Sequence, residues 1–399
     1  MLEIILWIVA VLAVVVAVIP VIGALRLRAY VRREMEHTWP TFQPRLTLIL
    51  PFKGVDPGFR QNLDSILSQD YPDYEVIFVT DDGDDPGYAI VEEVAEEHPG
   101  VSTRLLVAGP CREQSQKLHN QFAALDYVRE ESECLVFVDS DVRARPDFLS
   151  RLVEPLQDPE IGATTGFRWY MPEEGGFGSY LRATWNAGGV TVLADPHLAY
   201  TWGGAMATLR STFQEAGVHE AWESALTDDF PLSKAVQATG RRIHFVPECL
   251  TTSHEDSTLR ETVSWTNRQT IICRVYNPEL WRTFCSLYGA QALLIVAGAL
   301  LMVLSVFGAV RWTVLYPAIV MLCIIPVQIG AIPLVWSAVR CRLPEEAGGI
   351  SVLKHALMAP FAVALIVGNS LYSLMTRTIY WRGIGYRLHS PRETEVIDS

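Results

Sequence analysis

The stretch FVDSDVRARPDFL, residues 137–149, decides how this chain is read. The apolar run ECLVFVD (133–139) climbs into two carboxylates one residue apart, Asp139 and Asp141, and a charged turn follows. A buried strand ordinarily runs out into a turn. Two acids at its tip repel unless something cationic or hydrogen-bonding sits between them. An Asp-x-Asp pair at a strand end suits a hard divalent cation. Mg2+ and Mn2+ take oxygen ligands and keep substrate phosphates in their shell. The triplet alone is common and is most often a solvated turn, so its position after an apolar strand carries the weight.

Outward from that stretch the pattern alternates. LTLIL (46–50), YEVIFVT (74–80) and STRLLVA (102–108) read as strands. FRQNLDSILSQD, with Leu63, Ile66 and Leu67 on one face, AIVEEVAEEH (89–98) and QKLHNQFAALDYV (116–128) read as helices. Strands alternating with helices predict an α/β domain with a parallel sheet and right-handed crossovers. In such sheets ligands bind beyond the carboxyl ends of the strands. Asp81, Asp82, Asp139 and Asp141 all fall at such ends.

Four runs lie outside this pattern. Ile4–Leu25, Thr283–Val310 and Trp312–Val339 are long and apolar, the second and third parted by Arg311 alone. Ala356–Thr376 is flanked by Lys354 and Arg377. About 20 apolar residues suffice to cross a hydrocarbon core as a helix. The first run lacks a basic start and a small-residue cleavage site, which favours an uncleaved anchor. Arg26, Arg28, Arg32 and Arg33 follow it and predict a cytoplasmic location for what comes next. Arg340 and Arg342 return to that side after the third run. A full crossing by the fourth would carry Arg377, Arg382 and Arg387 outside, so a re-entrant or interfacial helix bent at Pro360 is expected.

The 399 residues are 50% hydrophobic with a net charge of −13. With no basic cluster in the soluble part, that balance argues against a nucleic-acid partner. Seven cysteines show no C-x-x-C pair, which argues against a zinc site or disulfide framework and suits a reducing cytoplasm.

Together with FVDSDVRARPDFL, the ordered motifs LPFKGVDPGFRQNLDSILSQDYPDYEVIFVTDD (50–82), TWGGAMATLR (201–210) and LTDDFPLSKAV (226–236) resemble family 2 glycosyltransferases. More narrowly they resemble the ceramide glucosyltransferase branch with its bacterial hopanoid-associated relatives, and the tail TIYWRGIGYRL (378–388) is similar too. The resemblance implies a cytoplasmic GT-A domain, a Rossmann-like mixed sheet, joined to transmembrane helices. The expected division is an anchor over 1–33, the glycosyltransferase domain with an interfacial C-terminal segment over 34–282, two transmembrane helices over 283–339, and a re-entrant or transmembrane helix with a basic cytoplasmic tail over 340–399. A multi-pass protein of a bacterial inner membrane is expected.

By the same resemblance, Asp81 or Asp82 contacts uridine. Lys53, Lys117, Trp202 and Gly203 join the donor site, Asp139 and Asp141 hold Mg2+ or Mn2+ on the diphosphate, and Asp229 is the general base. Asp228 stands where the family's pair has Glu. Arg268 takes the cationic place in a closing segment, Trp265-Thr266-Asn267-Arg268-Gln269, that departs from the family's Gln/Arg-x-x-Arg-Trp, and Arg274 is an alternative. Each has a plainer reading. Asp228 and Asp229 suit a helix N-terminus with Thr227 as cap. Gly203 and Gly204 suit a tight turn. Arg268 suits a basic interfacial helix with Trp265, Tyr276 and Trp281 as headgroup anchors. His254, without a second His at ligand spacing, is read as structural.

The implied activity is inverting transfer of one hexose from a UDP-sugar to a lipid hydroxyl of ceramide-like or related type. A polysaccharide synthase or polyprenyl-phosphate sugar transferase is the second reading, and a non-catalytic nucleotide- or lipid-binding membrane scaffold the third.

Overall fold

The computed structural model describes residues 2–343 and 351–398. Residues 344–350, inside the expected final segment, lie outside the described residues.

Seven strands form the main sheet: β1 (Leu46–Pro51), β2 (Tyr74–Thr80), β3 (Ser102–Val107), β4 (Cys134–Val138), β5 (Ile161–Met171), β6 (Ala205–Leu209) and β7 (Arg242–His254). Their order is β3-β2-β1-β4-β6-β5-β7. Every residue of β1, β2 and β4 is buried, as central strands covered on both faces require. Their side chains alternate between two cores. Leu46, Leu48 and Leu50 pack with Phe59, Leu63 and Ile66 on one side. Ile49 packs with Leu118, Trp222 and Leu232 on the other.

The parallel alternation holds from β1 to β4 and breaks after Asp139. β6 runs antiparallel to both β4 and β5, so the sheet is mixed. A 17-residue helix, Phe177–Leu193, and a long return separate β5 from β6 and reverse the chain. A strand order with this single reversal is that of the GT-A fold expected from the resemblance.

The helices are α1 (Leu2–Glu36), α2 (Phe59–Leu67), α3 (Tyr88–Glu97), α4 (Gln116–Leu125), α5 (Phe148–Val153), α6 (Phe177–Leu193), α7 (Arg210–Glu215), α8 (Val218–Trp222), α9 (Asp229–Ala238), α10 (Leu259–Tyr276), α11 (Pro278–Val306), α12 (Leu315–Leu322), α13 (Ile324–Val339) and α14 (Val352–Met375). Among the described residues, four stretches are long and apolar enough to cross a membrane: Glu3–Glu36, Pro278–Val306, Trp312–Arg342 and Val352–Met375. In the bundle, Ala10, Ala13 and Ala17 let α1 approach Leu294, Met321 and Ile324 closely. Two buried amides tie it together. Gln291 Nε2 donates to the Val16 carbonyl at 2.7 Å, and Gln328 Nε2 donates to Gln291 Oε1 at 2.8 Å.

The bundle and the α/β domain are joined at both ends of the chain. The last turns of α1 reach β7, where the Tyr30 hydroxyl donates to the Phe245 carbonyl at 2.6 Å and Glu34 meets His244 at 3.1 Å. α14 touches domain helices along its length. The Thr184 hydroxyl of α6 donates to the His355 carbonyl at 3.1 Å, Phe361 packs on Phe177, and the Ser373 carbonyl accepts from Arg274 of α10.

After α14 the chain forms a second sheet from β8 (Thr378–Trp381), β9 (Ile384–Ser390) and β10 (Glu393–Asp398). β8 and β9 pair Trp381 with Ile384 across a two-residue turn, Arg382-Gly383, both at positive φ (48° and 83°). Such turns match strand twist, but a non-glycine residue there is strained. Arg382 is held by its side chain. Its guanidinium donates to the Lys53 carbonyl at 2.7 Å and pairs with both Asp56 carboxylate oxygens at 2.8 and 3.0 Å.

Candidate functional site

β1 is flanked by β2 on one side and β4 on the other, so the crossovers change direction between β1 and β4. The crevice that opens beyond such a switch point is where ligands bind in open α/β sheets. A cavity of about 530 Å3 lies there. Lys53 enters it from the end of β1, Asp139 and Asp141 from the end of β4, Lys117 from the first turn of α4, and Asp228 and Asp229 from the start of α9.

Charge is arranged in linked pairs. Lys117 Nζ bridges Asp139 Oδ1 at 2.8 Å and Asp228 Oδ2 at 2.9 Å. Burial works against its charge, but the two carboxylates outweigh that and raise its pKa above the usual lysine range. Asp228 also accepts from Gln121 Nε2 at 2.8 Å. Gly203 lies against this junction, and its carbonyl accepts from Lys117 at 3.2 Å. A β-carbon on Gly203 would collide with the Asp228 carboxylate, so the backbone approach needs glycine.

Arg168 of β5 covers the strand-end acids. Its Nη2 lies 2.6 Å from Asp141 Oδ1 and 3.5 Å from Asp139 Oδ2, and its guanidinium sits 5.0 Å over the Trp202 ring. Even so, Asp141 is pushed up to about 6, first by burial and then by Asp139 and Asp56.

Asp229 opens α9. Its Oδ1 accepts from the Thr227 hydroxyl at 2.5 Å and from the Phe230 amide at 2.6 Å. Burial and the adjacent Asp228 nevertheless push it up to about 6. The helix-terminus reading of this acid therefore coexists with a place in the cavity. The expected cap differs, since Asp228 holds the capping position and Thr227 bonds to the Asp229 side chain instead.

A capping box of Thr258 and Glu261 starts α10. That phase turns Trp265, Arg268, Gln269 and Ile272, at helical spacing, onto the cavity. Arg268 meets the Tyr380 carbonyl at 3.4 Å and lies 5.7 Å from the Trp381 ring. No carboxylate pairs with it among the described residues. Burial, together with Arg382 and Arg168, lowers it to about 10, the signature of a cation enclosed without an anion.

The other expected residues take these places. Asp81 and Asp82 do not line this cavity. Asp81 sits beside it as the ion-pair partner of Lys53, with its Oδ1 buried and unpartnered, while Asp82 is exposed. Arg274 serves α14 through the Ser373 carbonyl and is not a site cation. Tyr276 is no headgroup anchor: it is buried, and its hydroxyl accepts from the Leu226 amide at 2.7 Å. Trp265 is packed edge-on against Tyr170 and Trp185. His254 lies 3.9 Å from Glu173.

Sequence reading missed Arg168, Asp56 and the tail residues Trp381, Arg382 and Tyr386, all of which line the cavity. The basic, aromatic tail was a signal, but its partners lie more than 100 residues away, Gln116 and Asp56 more than 250. The Tyr386 hydroxyl accepts from the Gln116 amide at 3.2 Å.

Among the described residues no group of three His, Cys, Asp or Glu side chains gathers around one point. Asp139 and Asp141 offer two carboxylates, and a diphosphate supplies further oxygens in such shells. The pair fits a hard divalent cation on that condition, in exchange for Arg168.

From the acidic end the cavity continues past Tyr200 and Phe230 to Leu280, Trp281, Phe284, Cys285 and Tyr288 of α11 and to Ile366 and Ser370 of α14. One space thus joins a charged cleft to two of the helices long enough to span a membrane.

The sequence profile described as Glycosyl transferase family 21 matches residues 5–394. Ceramide glucosyltransferase 1 of Caenorhabditis elegans is 22% identical over 201 residues, 49% of this chain and 43% of that protein. An N-acetylglucosaminyltransferase of Rhizobium meliloti is 34% identical over 126 residues, 31% of this chain and 28% of that one. The chain thus spans less than half the length of these curated relatives. A mannosyltransferase of Pyrobaculum calidifontis, solved with GDP-Man and Mn2+, superposes with a TM-score of 0.47 at 18% identity, covering 92% of this chain and 99% of that one.

Proposed function

Since the chain belongs to glycosyl transferase family 21, we propose that it moves a single hexose from a UDP-sugar to the hydroxyl of a membrane lipid, ceramide-like or related, with inversion. The observation that carries this reading is the continuous cavity, with carboxylates and cations at one end and residues of α11 and α14 at the other. A water-soluble acceptor has no need of an apolar extension between membrane helices.

The roles follow from residue chemistry. Asp229 takes the proton of the acceptor hydroxyl as the new bond forms, a contribution of roughly 10²–10⁴ in rate. Its position at the start of α9 favours the anion, while burial holds its pKa near the working range. Arg268, enclosed without an acid partner, and Lys53 receive the donor diphosphate. Asp139 and Asp141 would hold Mg2+ or Mn2+, which when bound offsets charge on the departing diphosphate. Lys117 keeps Asp139 and Asp228 in place. Asp81, with its unpartnered buried oxygen, accepts from the base of the nucleotide.

The test is direct. Detergent-purified protein is incubated with labelled UDP-glucose, Mn2+ and a hydroxyl lipid. A labelled small glycolipid is expected; a labelled polymer, or no transfer with any UDP-hexose, would overturn the proposal.

A further inference from the structure

Arg168 sits on the strand-end acids, yet neither the base Asp229 nor the diphosphate cradle of Lys53 and Arg268 needs it there. Its backbone is fixed. In β5 it pairs with Thr251 of β7, and its carbonyl accepts from Asn186 Nδ2 at 2.7 Å. Just before it, between Thr165 and Phe167, the register with β7 shifts. There Gly166 lies so close to the Cys249 carbonyl that a β-carbon would collide with it. Irregularities of this kind re-aim the side chains of a strand and recur beside active sites. β6 lies between β5 and β4, so the Arg168 side chain spans one strand to reach Asp141.

Its grip at the tip is loose. A guanidinium carries several N–H donors in a fixed fork. Here one contact is short, 2.6 Å to Asp141 Oδ1, while Asp139 Oδ2 and the Tyr170 hydroxyl are each 3.5 Å away. Nε is buried with no hydrogen-bond partner among the described residues. Such groups are rare and call for a reason. Two aromatic rings flank the guanidinium, Trp202 at 5.0 Å and Tyr170 at 5.9 Å, and ring faces support a cation wherever it lies along them. The side chain can therefore shift without losing all its support.

The charges around it are already matched. Asp141 has Arg168, Asp139 and Asp228 share Lys117, and Asp56 pairs with Arg382. A divalent ion entering alone would displace Arg168 and leave it enclosed without an anion, which is costly. A nucleoside diphosphate entering with the ion supplies that anion, and the guanidinium fork matches phosphate oxygens.

We infer that Arg168 is the internal counter-ion of the metal site. It holds Asp139 and Asp141 until a divalent cation and the donor diphosphate arrive together, then yields the carboxylates and pairs with the diphosphate. Metal binding is thereby conditional on the donor. This rests on the reading of Asp139 and Asp141 as metal carboxylates, and it adds a positioning residue and an order of binding.

The test titrates Mn2+ into the full-length protein in detergent, with and without UDP. Free Mn2+ is read by its paramagnetic resonance signal, corrected for Mn2+ held by UDP alone. In the parent, UDP tightens Mn2+ binding roughly tenfold or more. Arg168→Met and Arg168→Gln bind Mn2+ without UDP roughly tenfold more tightly than the parent, and UDP adds less to them. A damaged fold loses affinity, so a gain is not a structural side effect. Adding Asp141→Asn to Arg168→Met cancels the gain and places the ion at this pair. Arg168→Lys keeps a cation against the buried acids, and with it the fold, and binds Mn2+ without UDP no better than the parent. A tighter Arg168→Lys overturns the counter-ion role. So do neutral variants that match the parent without UDP while the parent binds Mn2+ with UDP, and the metal reading then survives. A parent that binds no Mn2+ even with UDP, where Arg168→Met does, makes Arg168 a permanent substitute for the ion and overturns the exchange. Absence of Mn2+ binding from parent and variants alike, with UDP present, removes the metal reading and this inference with it.

Discussion

Lys117 Nζ lies 2.8 Å from a carboxylate oxygen of Asp139, and the same ammonium reaches Asp228 at 2.9 Å. One cation from α4 thus ties the end of β4 to the start of α9. The acidic cleft holds together because its charges are shared, not because they are solvated.

Replacing that ammonium strands a buried acid. Lys117→Met leaves Asp228, 2% exposed, without its cation. Removing one partner of a buried pair typically costs about 3–5 kcal/mol. The variant is expected to unfold at a clearly lower temperature in detergent, and Lys117→Met with Asp228→Asn to recover part of the loss. Equal melting of single and double variants would show that the pair is not coupled.

With Asp229 as the proposed base, the reaction should show an acidic limb. A carboxyl raised to about 6 keeps its proton to higher pH than an ordinary aspartate, so the base form is lost as pH falls through about 6. A plot of kcat/KM against pH should drop below that value. Asp229→Asn should reduce transfer by roughly 10²–10⁴ and flatten the limb, with UDP binding retained in calorimetry. Near-normal turnover would reassign the base.

Asp141 is predicted to be the more direct metal-binding carboxylate. Asp141→Asn should lose activity and weaken Mn2+ binding at least tenfold in the presence of UDP, read by the Mn2+ paramagnetic resonance signal. Full activity of the parent in excess chelator would rule out a metal role.

The tail should lie on the same side of the membrane as the sheet, because Arg382 is pinned to Asp56 and Lys53. Single cysteines at exposed Glu96 and Arg392 should react with an impermeant thiol reagent from the same side of sealed vesicles. Opposite sidedness would mean that α14 carries the tail across. Arg382→Gln should raise KM for the UDP-sugar several-fold, since it releases the turn that closes one wall of the cavity.

Local sequence determined much of this protein. Largely apolar runs fixed β1, β2 and β4, because a strand covered on both faces admits a polar residue only with a partner, as Thr47 has in Glu75. Their abrupt endings placed Asp81 and Asp139 at the sheet's rim. Four apolar stretches long enough to span were equally plain, since length against bilayer thickness is a one-dimensional property. Tertiary structure alone decided which charges meet. Arg168 is 27 residues from Asp141, and Arg382 is 326 from Asp56, distances at which no spacing rule operates. It also decided that β6 runs backward and that α14 lies along the domain beside α11. Such contacts depend on how finished elements pack against one another, and neither periodicity nor composition encodes that.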